Sequence, residues 1–106
     1  MANVLVSAPK QARAGEIVEI RTLASHPMET GFRAGTNGTL IPRDIVREFS
    51  CSYGGVTVFR MELSPAIAAN PYIAFHLRAR ETGPIVLRWT GDNGFSVEET
   101  VTLQVA

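Results

Sequence analysis

Apolar and polar residues alternate along most of this chain with a period of two, which is the pattern of strands that bury one face. In one such stretch Val18 and Ile20 fall on one face, while Glu19 and Arg21 fall on the other. No stretch of helix length repeats its apolar residues with the helical period of about 3.6 positions. The pattern therefore predicts an all-β protein. The alternating segments are residues 4–6, 16–23, 49–53, 57–63, 73–79, 85–90 and 97–105.

Turn signals separate these predicted strands. Gly54 and Gly55 indicate a two-residue hairpin, because glycine adopts the positive φ angles that such turns need. Segments 81–84 and 91–94 indicate further turns, and segment 65–71, with at most a short helical turn, indicates a crossing between sheets. About seven short strands predict a single immunoglobulin-like antiparallel β-sandwich domain over residues 1–106. The Cys-Trp-Cys pattern of antibody domains is absent from the sequence.

One connection, residues 26–43, is longer than a turn requires, and long connections in small domains are usually functional or disordered. In one interpretation Pro27 and Pro42 stiffen it and its charges are solvated. In the other it is a partner surface, in which apolar anchors are flanked by arginine side chains. Segment 70–72 either lies beside this connection or is a structural turn. The candidate partner-binding residues are His26, Met28, Glu29, Phe32, Arg33, Ile41, Arg43, Asn70 and Tyr72, with Leu40 as a further apolar anchor.

Charge and composition exclude several classes of partner. The ten basic residues balance the ten acidic ones, so no net field would attract nucleic acid or an anionic membrane surface. No apolar run is long enough to cross a bilayer. Residues 1–10 lack the basic start and the apolar stretch of a secretion signal, so the sequence alone predicts a cytoplasmic protein.

Few residues suggest chemistry. Cys51 is the only cysteine, and its alternation with Phe49 and Tyr53 predicts a buried thiol. His26 and His76 lack the helical spacing of paired metal ligands, although with Cys51 they could form a mixed site in a small stand-alone metal or redox protein. His76 is otherwise expected on an outward, solvated face. No phosphate-binding loop, catalytic triad signature or close carboxylate pair is present, so we expect no enzyme activity and no cofactor.

Several segments together resemble the SoxZ family of the thiosulfate-oxidising Sox system. They are Thr22-Leu23-Ala24-Ser25-His26-Pro27-Met28-Glu29-Thr30-Gly31, Ile41-Pro42-Arg43, Phe49 with Cys51, Pro65-Ala66 and Ala69-Asn70-Pro71-Tyr72, and the resemblance covers nearly the whole chain in order. The resemblance implies a heterodimer with SoxY, whose C-terminal Gly-Gly-Cys-Gly-Gly arm carries covalent sulfur intermediates. This chain has no such arm, so the resemblance implies that it is the non-catalytic companion subunit.

The resemblance also implies a periplasmic location through co-export with the partner, and transient contacts with other Sox enzymes. Three functions follow from the sequence. The first is the companion subunit of a sulfur carrier, and the second is the stand-alone metal or redox protein. The third is a general immunoglobulin-like interaction module with some other partner.

Overall fold

Eight strands and one short 3-10 helix make up the computed structural model, which describes residues 4–106. Residues 1–3, which begin the segment expected to lack a secretion signal, lie outside the described residues. The strands are β1 (Val4–Ser7), β2 (Gln11–Ala12), β3 (Ile17–Ala24), β4 (Val46–Tyr53), β5 (Val56–Glu62), β6 (Tyr72–Arg78), β7 (Gly83–Gly91) and β8 (Ser96–Val105). The 3-10 helix spans Asp92–Gly94, between β7 and β8.

The strands form two sheets, one of three strands in the order β1-β3-β6 and one of five in the order β2-β8-β7-β4-β5. All neighbours are antiparallel except β2 and β8, which are parallel. The predicted all-β sandwich is confirmed. The additional strand is β2, whose two residues are too few to show a period in the sequence.

The core lies between the two sheets and follows the alternation of the sequence. In β3 the inward residues Val18, Ile20 and Thr22 are buried, as their period of two requires. Phe49 of β4 contacts Trp89 of β7 with ring centroids 5.1 Å apart. Phe59 of β5 stacks on a phenylalanine of β6 at 4.6 Å, which places β6 above β5 across the sandwich.

The predicted turns are present, although the turn at residues 81–84 is shorter than predicted because β7 already begins at Gly83. Gly54 and Gly55 have φ angles of +59° and +85° and join Tyr53 directly to Val56. The connection from β5 to β6 carries the chain from the larger sheet to the smaller one, and it contains turns without a helix. The long connection runs from β3 in the smaller sheet to β4 in the larger one, so it closes one end of the sandwich.

Candidate partner-binding site

The long connection between β3 and β4, residues 25–45, has two parts that differ in burial. We call residues 25–31 and 42–45 the base, and residues 32–41 the tip segment. In the base, His26 and Met28 are only 5% and 4% exposed. In the tip segment, Phe32 is 81% exposed and Leu40 is 63% exposed.

His26 fastens the start of the base to the segment before β6. Its backbone N–H donates to Oδ1 of Asn70 at 2.9 Å, and its carbonyl oxygen accepts the N–H of Asn70 at 2.8 Å. Nδ1 of His26 accepts the N–H of Met28 at 3.0 Å, so Nδ1 carries no proton in this arrangement. The ring lies edge-on to Phe95 with centroids 4.8 Å apart. Asn70 therefore lies beside the connection and also turns the chain, with φ at +53°.

Met28 joins the base to the first residue of β4. Its φ is +51°, which is uncommon for a residue with a side chain, and its Sδ accepts the N–H of Val46 at 3.2 Å. Glu29 and Asp44 then exchange two backbone hydrogen bonds of 2.8 Å each. The two ends of the connection are thus paired before the tip segment begins.

Arg43 holds the base against the 3-10 helix. Its Nε and Nη2 each donate to the carboxylate of Asp92 at 2.8 Å, in a bidentate pair. The same carboxylate accepts the N–H of Ile45 at 3.2 Å. These contacts lower the pKa of Asp92 from its ordinary value, and the side-chain hydrogen bond from Arg43 has the largest effect. At Gly91 a Cβ would collide with the carbonyl oxygen of Ile45, so the backbones meet here without room for a side chain.

Backbone hydrogen bonds fold the tip segment into a short turn that extends from the base. The N–H of Ile41 donates to the carbonyl oxygen of Arg33 at 2.8 Å, and Gly35 donates to Thr39 at 2.7 Å. Arg33 also pairs with Glu29 of the base at 2.6 Å, which lowers the pKa of Glu29. The segment is ordered by these contacts, yet its largest apolar side chains stay uncovered by the described residues.

The structure divides the predicted partner-binding residues into three groups. Phe32, Arg33 and Tyr72 are exposed, and Ile41 is half-buried. His26 and Met28 are buried, so the expectation that Met28 is an exposed apolar anchor is wrong, because its sulfur accepts a backbone N–H in the core. The remaining three, Glu29, Arg43 and Asn70, form contacts within the connection and its neighbours.

Two exposed apolar residues that the sequence reasoning missed join Tyr72 in one row across the smaller sheet. Leu5 of β1 lies opposite Leu23 of β3, and Leu23 lies opposite Tyr72 of β6. All three point away from the core. The available signal was that Leu5 and Leu23 occupy outward positions where the alternation calls for polar residues.

The alternative metal site does not form among the described residues. Cys51 is buried in the core, as expected, and burial raises the pKa of its thiol to about 11. His76 lies on the outer face of β6, as expected, where its Nε2 is 3.8 Å from Glu19. Within residues 4–106 no three His, Cys, Asp or Glu residues are placed to hold a metal ion. The structure does not bring His26, His76 and Cys51 together.

Over the same residues, no helix has the length and apolar character needed to span a membrane. The fold and the long connection define an immunoglobulin-like β-sandwich protein with an ordered, partly apolar loop at one end. The family model for the sulphur oxidation protein SoxZ matches residues 6–102. The chain belongs to the SoxZ family, and the resemblance seen in its sequence is confirmed.

Solved structures with the same fold include superoxide reductases and a sulfur carrier protein. The superoxide reductase (neelaredoxin) from Ignicoccus hospitalis has a TM-score of 0.75 at 17% identity, covering 97% of this chain and 80% of that one. The sulfur carrier protein SoxY from Chlorobium limicola f thiosulfatophilum has a TM-score of 0.66 at 16% identity, covering 97% and 78%. A putative superoxide reductase from Thermotoga maritima has a TM-score of 0.75 at 15% identity, covering 97% and 85%.

At these identities the likeness shows the fold alone, and it confirms the immunoglobulin-like sandwich. No curated protein matches the chain by sequence at a significant level.

Proposed function

We propose that this SoxZ-family chain is the non-catalytic companion subunit of a SoxY-like sulfur carrier, with which it forms a heterodimer. The observation that carries the proposal is the ordered tip segment with exposed Phe32 and Leu40. A surface that is already ordered loses little conformational entropy when a partner covers it. Burying one such apolar side chain contributes about 1.5–3 kcal/mol before the costs of association.

The apolar row of the smaller sheet offers a second part of the same surface. Leu23 precedes His26 by three positions, so the row lies at the end of the sheet from which the long connection departs. Leu5, Leu23 and Tyr72 are 68%, 38% and 62% exposed. Aromatic and apolar residues that lie together on a surface are typical of the centre of an interface.

The burial of the chain's only thiol supports the assignment of the sulfur-carrying role to a second subunit. A sulfur carrier needs an accessible thiolate, because the thiolate is the nucleophile in sulfur chemistry. Cys51 is completely buried, and the pKa of its thiol is raised to about 11 by burial. We therefore assign the carrier thiol to the partner. Membership of the SoxZ family supports a SoxY-like partner, a periplasmic complex reached by co-export, and transient contacts of that complex with other Sox enzymes.

The test is to co-express the chain with a SoxY-like protein from the same genome and to weigh the purified complex by native mass spectrometry. We expect a one-to-one complex. A double variant, Phe32→Ala with Leu40→Ala, should weaken the complex at least tenfold. The matched control is Ile17→Ala, which removes an exposed apolar side chain at the far end of β3.

Failure of the chain to bind the SoxY-like protein would overturn the proposal. If the chain then purified alone with a bound metal ion, it would instead be a metal or redox protein. Stable binding to an unrelated protein would make it a general interaction module.

A further inference from the structure

A cleft opens along one side of the sandwich, between the free edge of β5 and the free edge of β6. Each strand is the last of its sheet, and β6 lies above β5, so the two edges face the same side. The cleft has a volume of about 540 Å³. It lies around the Gly54-Gly55 hairpin and the end of β6, whereas the long connection adjoins the start of β6.

The edge of β6 has backbone groups free to pair with another strand. Just before β6 the carbonyl oxygen of Pro71 accepts the N–H of Ala24 at 3.0 Å, and just after it the N–H of Ala79 donates to the carbonyl oxygen of Glu16 at 2.8 Å. Both of these odd-numbered residues therefore direct their backbone groups toward β3. Backbone groups of successive strand residues point to opposite sides, so the even-numbered residues of β6 direct theirs to the free edge. The pairing of β6 with β3 continues without a register shift from Arg78 to Tyr72.

The edge of β5 is different, because it is interrupted beside the cleft. Phe59 lies opposite Cys51, but Thr57 lies opposite Ser52, so Val58 is an extra residue in a β-bulge. A bulge on an edge strand hinders the addition of a further strand. The regular edge is therefore that of β6, and β5 supplies a wall for the cleft.

The two walls of the cleft differ in chemistry. Val56 and Val58 are exposed apolar residues on β5, and Arg78 and Arg80 lie on the β6 side. Tyr53 fixes the backbone there, since its hydroxyl accepts the N–H of Arg80 at 3.0 Å.

Among residues 4–106, neither Arg78 nor Arg80 forms an ion pair, whereas four other arginines do. Arg78 donates through Nη1 to the carbonyl oxygen of Gly15 at 2.7 Å, which leaves its other N–H donors free. Glu81 is the one carboxylate among the residues that line the cleft. A guanidinium without a carboxylate partner binds acidic groups in a bidentate manner.

We propose that an extended acidic segment of a partner protein adds a strand to the free edge of β6 in this cleft. Its backbone pairs with His76 and Arg78, the even-numbered residues of β6 that line the cleft, and its side chains alternate between the two faces of the extended sheet. Acidic side chains on one face reach Arg78 and Arg80, and apolar side chains on the other face contact Val56 and Val58. None of the residues that line the cleft belongs to the tip segment or to the apolar row of the smaller sheet, so the proposal stands or falls independently of the proposed heterodimer surface.

The probe is a short fluorescent peptide of alternating valine and glutamate, titrated into the full chain while fluorescence anisotropy is measured. We expect saturable binding, and about tenfold weaker binding to Arg80→Glu, because a charged hydrogen-bond donor is lost. The control, Lys10→Glu, makes a comparable change of charge at an exposed residue that does not line the cleft, and it should bind the peptide as the unchanged chain does.

Backbone methylation of the peptide tests strand addition itself. Only one edge of the peptide can face β6, so methylating the nitrogens of the glutamates or of the valines should abolish binding in one case and preserve it in the other. Amide exchange at His76 and Arg78 should slow when the unmethylated peptide binds.

Three results would overturn the proposal. The first is no binding of the acidic peptide, and the second is equal binding of a peptide with lysine in place of glutamate. The third is binding that both methylated peptides retain, which would show an anion site without strand pairing.

Discussion

The base and the tip segment of the long connection are neighbours in the sequence but serve different purposes. In the base, the side chains of His26 and Met28 are buried, and the ring of His26 and the sulfur of Met28 each accept a backbone N–H group. In the tip segment, backbone bonds keep the chain ordered while Phe32 and Leu40 remain exposed. The residues of a distinctive motif can therefore serve to build a loop, while the residues that we propose as partner-binding lie beyond it.

Arg33 and Arg43 show the same difference at the level of single charges. Both form bidentate pairs with a carboxylate. Arg43 pairs with Asp92, far along the chain, and so joins the base to the turn before β8. Arg33 pairs with Glu29, four residues earlier, and orders only its own loop. Reversing the charge of Arg43 would therefore test the stability of the fold, and reversing that of Arg33 would test binding through the tip segment.

The largest expected effect is where the backbone of β7 closely approaches the base. Gly91→Ala should lower the free energy of unfolding by about 3 kcal/mol, because its Cβ would collide with the carbonyl oxygen of Ile45. Urea unfolding followed by circular dichroism measures this. Gly83→Ala is the control in the same strand, where a Cβ would meet only ordinary contacts. Similar urea midpoints for the two variants would show that the base can shift to make room.

A smaller loss should follow from removing the sulfur of Met28. Met28→Leu keeps most of the apolar volume but leaves the buried N–H of Val46 without its acceptor, which costs about 2 kcal/mol. The control is Met61→Leu, since Met61 is half-buried on β5 and its sulfur accepts no hydrogen bond among the described residues. Chemical unfolding of both variants would distinguish a role as acceptor from simple apolar packing. Equal stabilities would exclude the acceptor role.

The pair of Arg43 and Asp92 should appear as a dependence of stability on pH. The pKa of Asp92 is lowered in the folded protein, first of all by its hydrogen bond with Arg43. A lowered folded pKa contributes stability above the unfolded pKa, near 3.9, and that contribution is lost as the pH falls through the folded pKa. Asp92→Asn should thus unfold at lower urea than the unchanged chain at neutral pH.

The difference between Asp92→Asn and the unchanged chain should narrow as the solution becomes acidic. Urea midpoints measured from neutral to strongly acid pH give the comparison. Glu99→Gln, at an exposed carboxyl on β8, is the matched control, and its midpoint should stay close to that of the unchanged chain at each pH. A constant difference across the whole range for Asp92→Asn would contradict the linkage to its carboxylate.

The sandwich itself could be predicted from the sequence because its strands alternate so regularly. In β4 and β6 the buried positions are apolar, and in β3 all of them are apolar except Thr22. Such period-two patterns need no knowledge of distant residues. The strand β2 could not be found this way, since its two residues are defined by pairing with β8 at the other end of the chain. Local pattern thus predicts long strands and misses short ones.

The division of the long connection could not be predicted for a related reason. Arg43 and Asp92 are 49 positions apart, and nothing near Arg43 in the sequence indicates where its partner lies. The burial of Met28 depends on a positive φ angle and on a bond to β4, which are both consequences of the folded structure. Leu5 and Leu23 carried a usable signal, because each breaks the alternation of its own strand.

The smallest expected effect on stability is in the tip segment. Phe32→Ala should change the free energy of unfolding by less than about 0.5 kcal/mol, because an exposed side chain loses little packing when it is shortened. The measurement is the same urea titration used for the base. The variant should nevertheless weaken the proposed complex with the SoxY-like protein, so stability and binding would separate at this residue. A loss of stability as large as that of Met28→Leu would mean that Phe32 packs within the fold, and the distinction between base and tip segment would then fail.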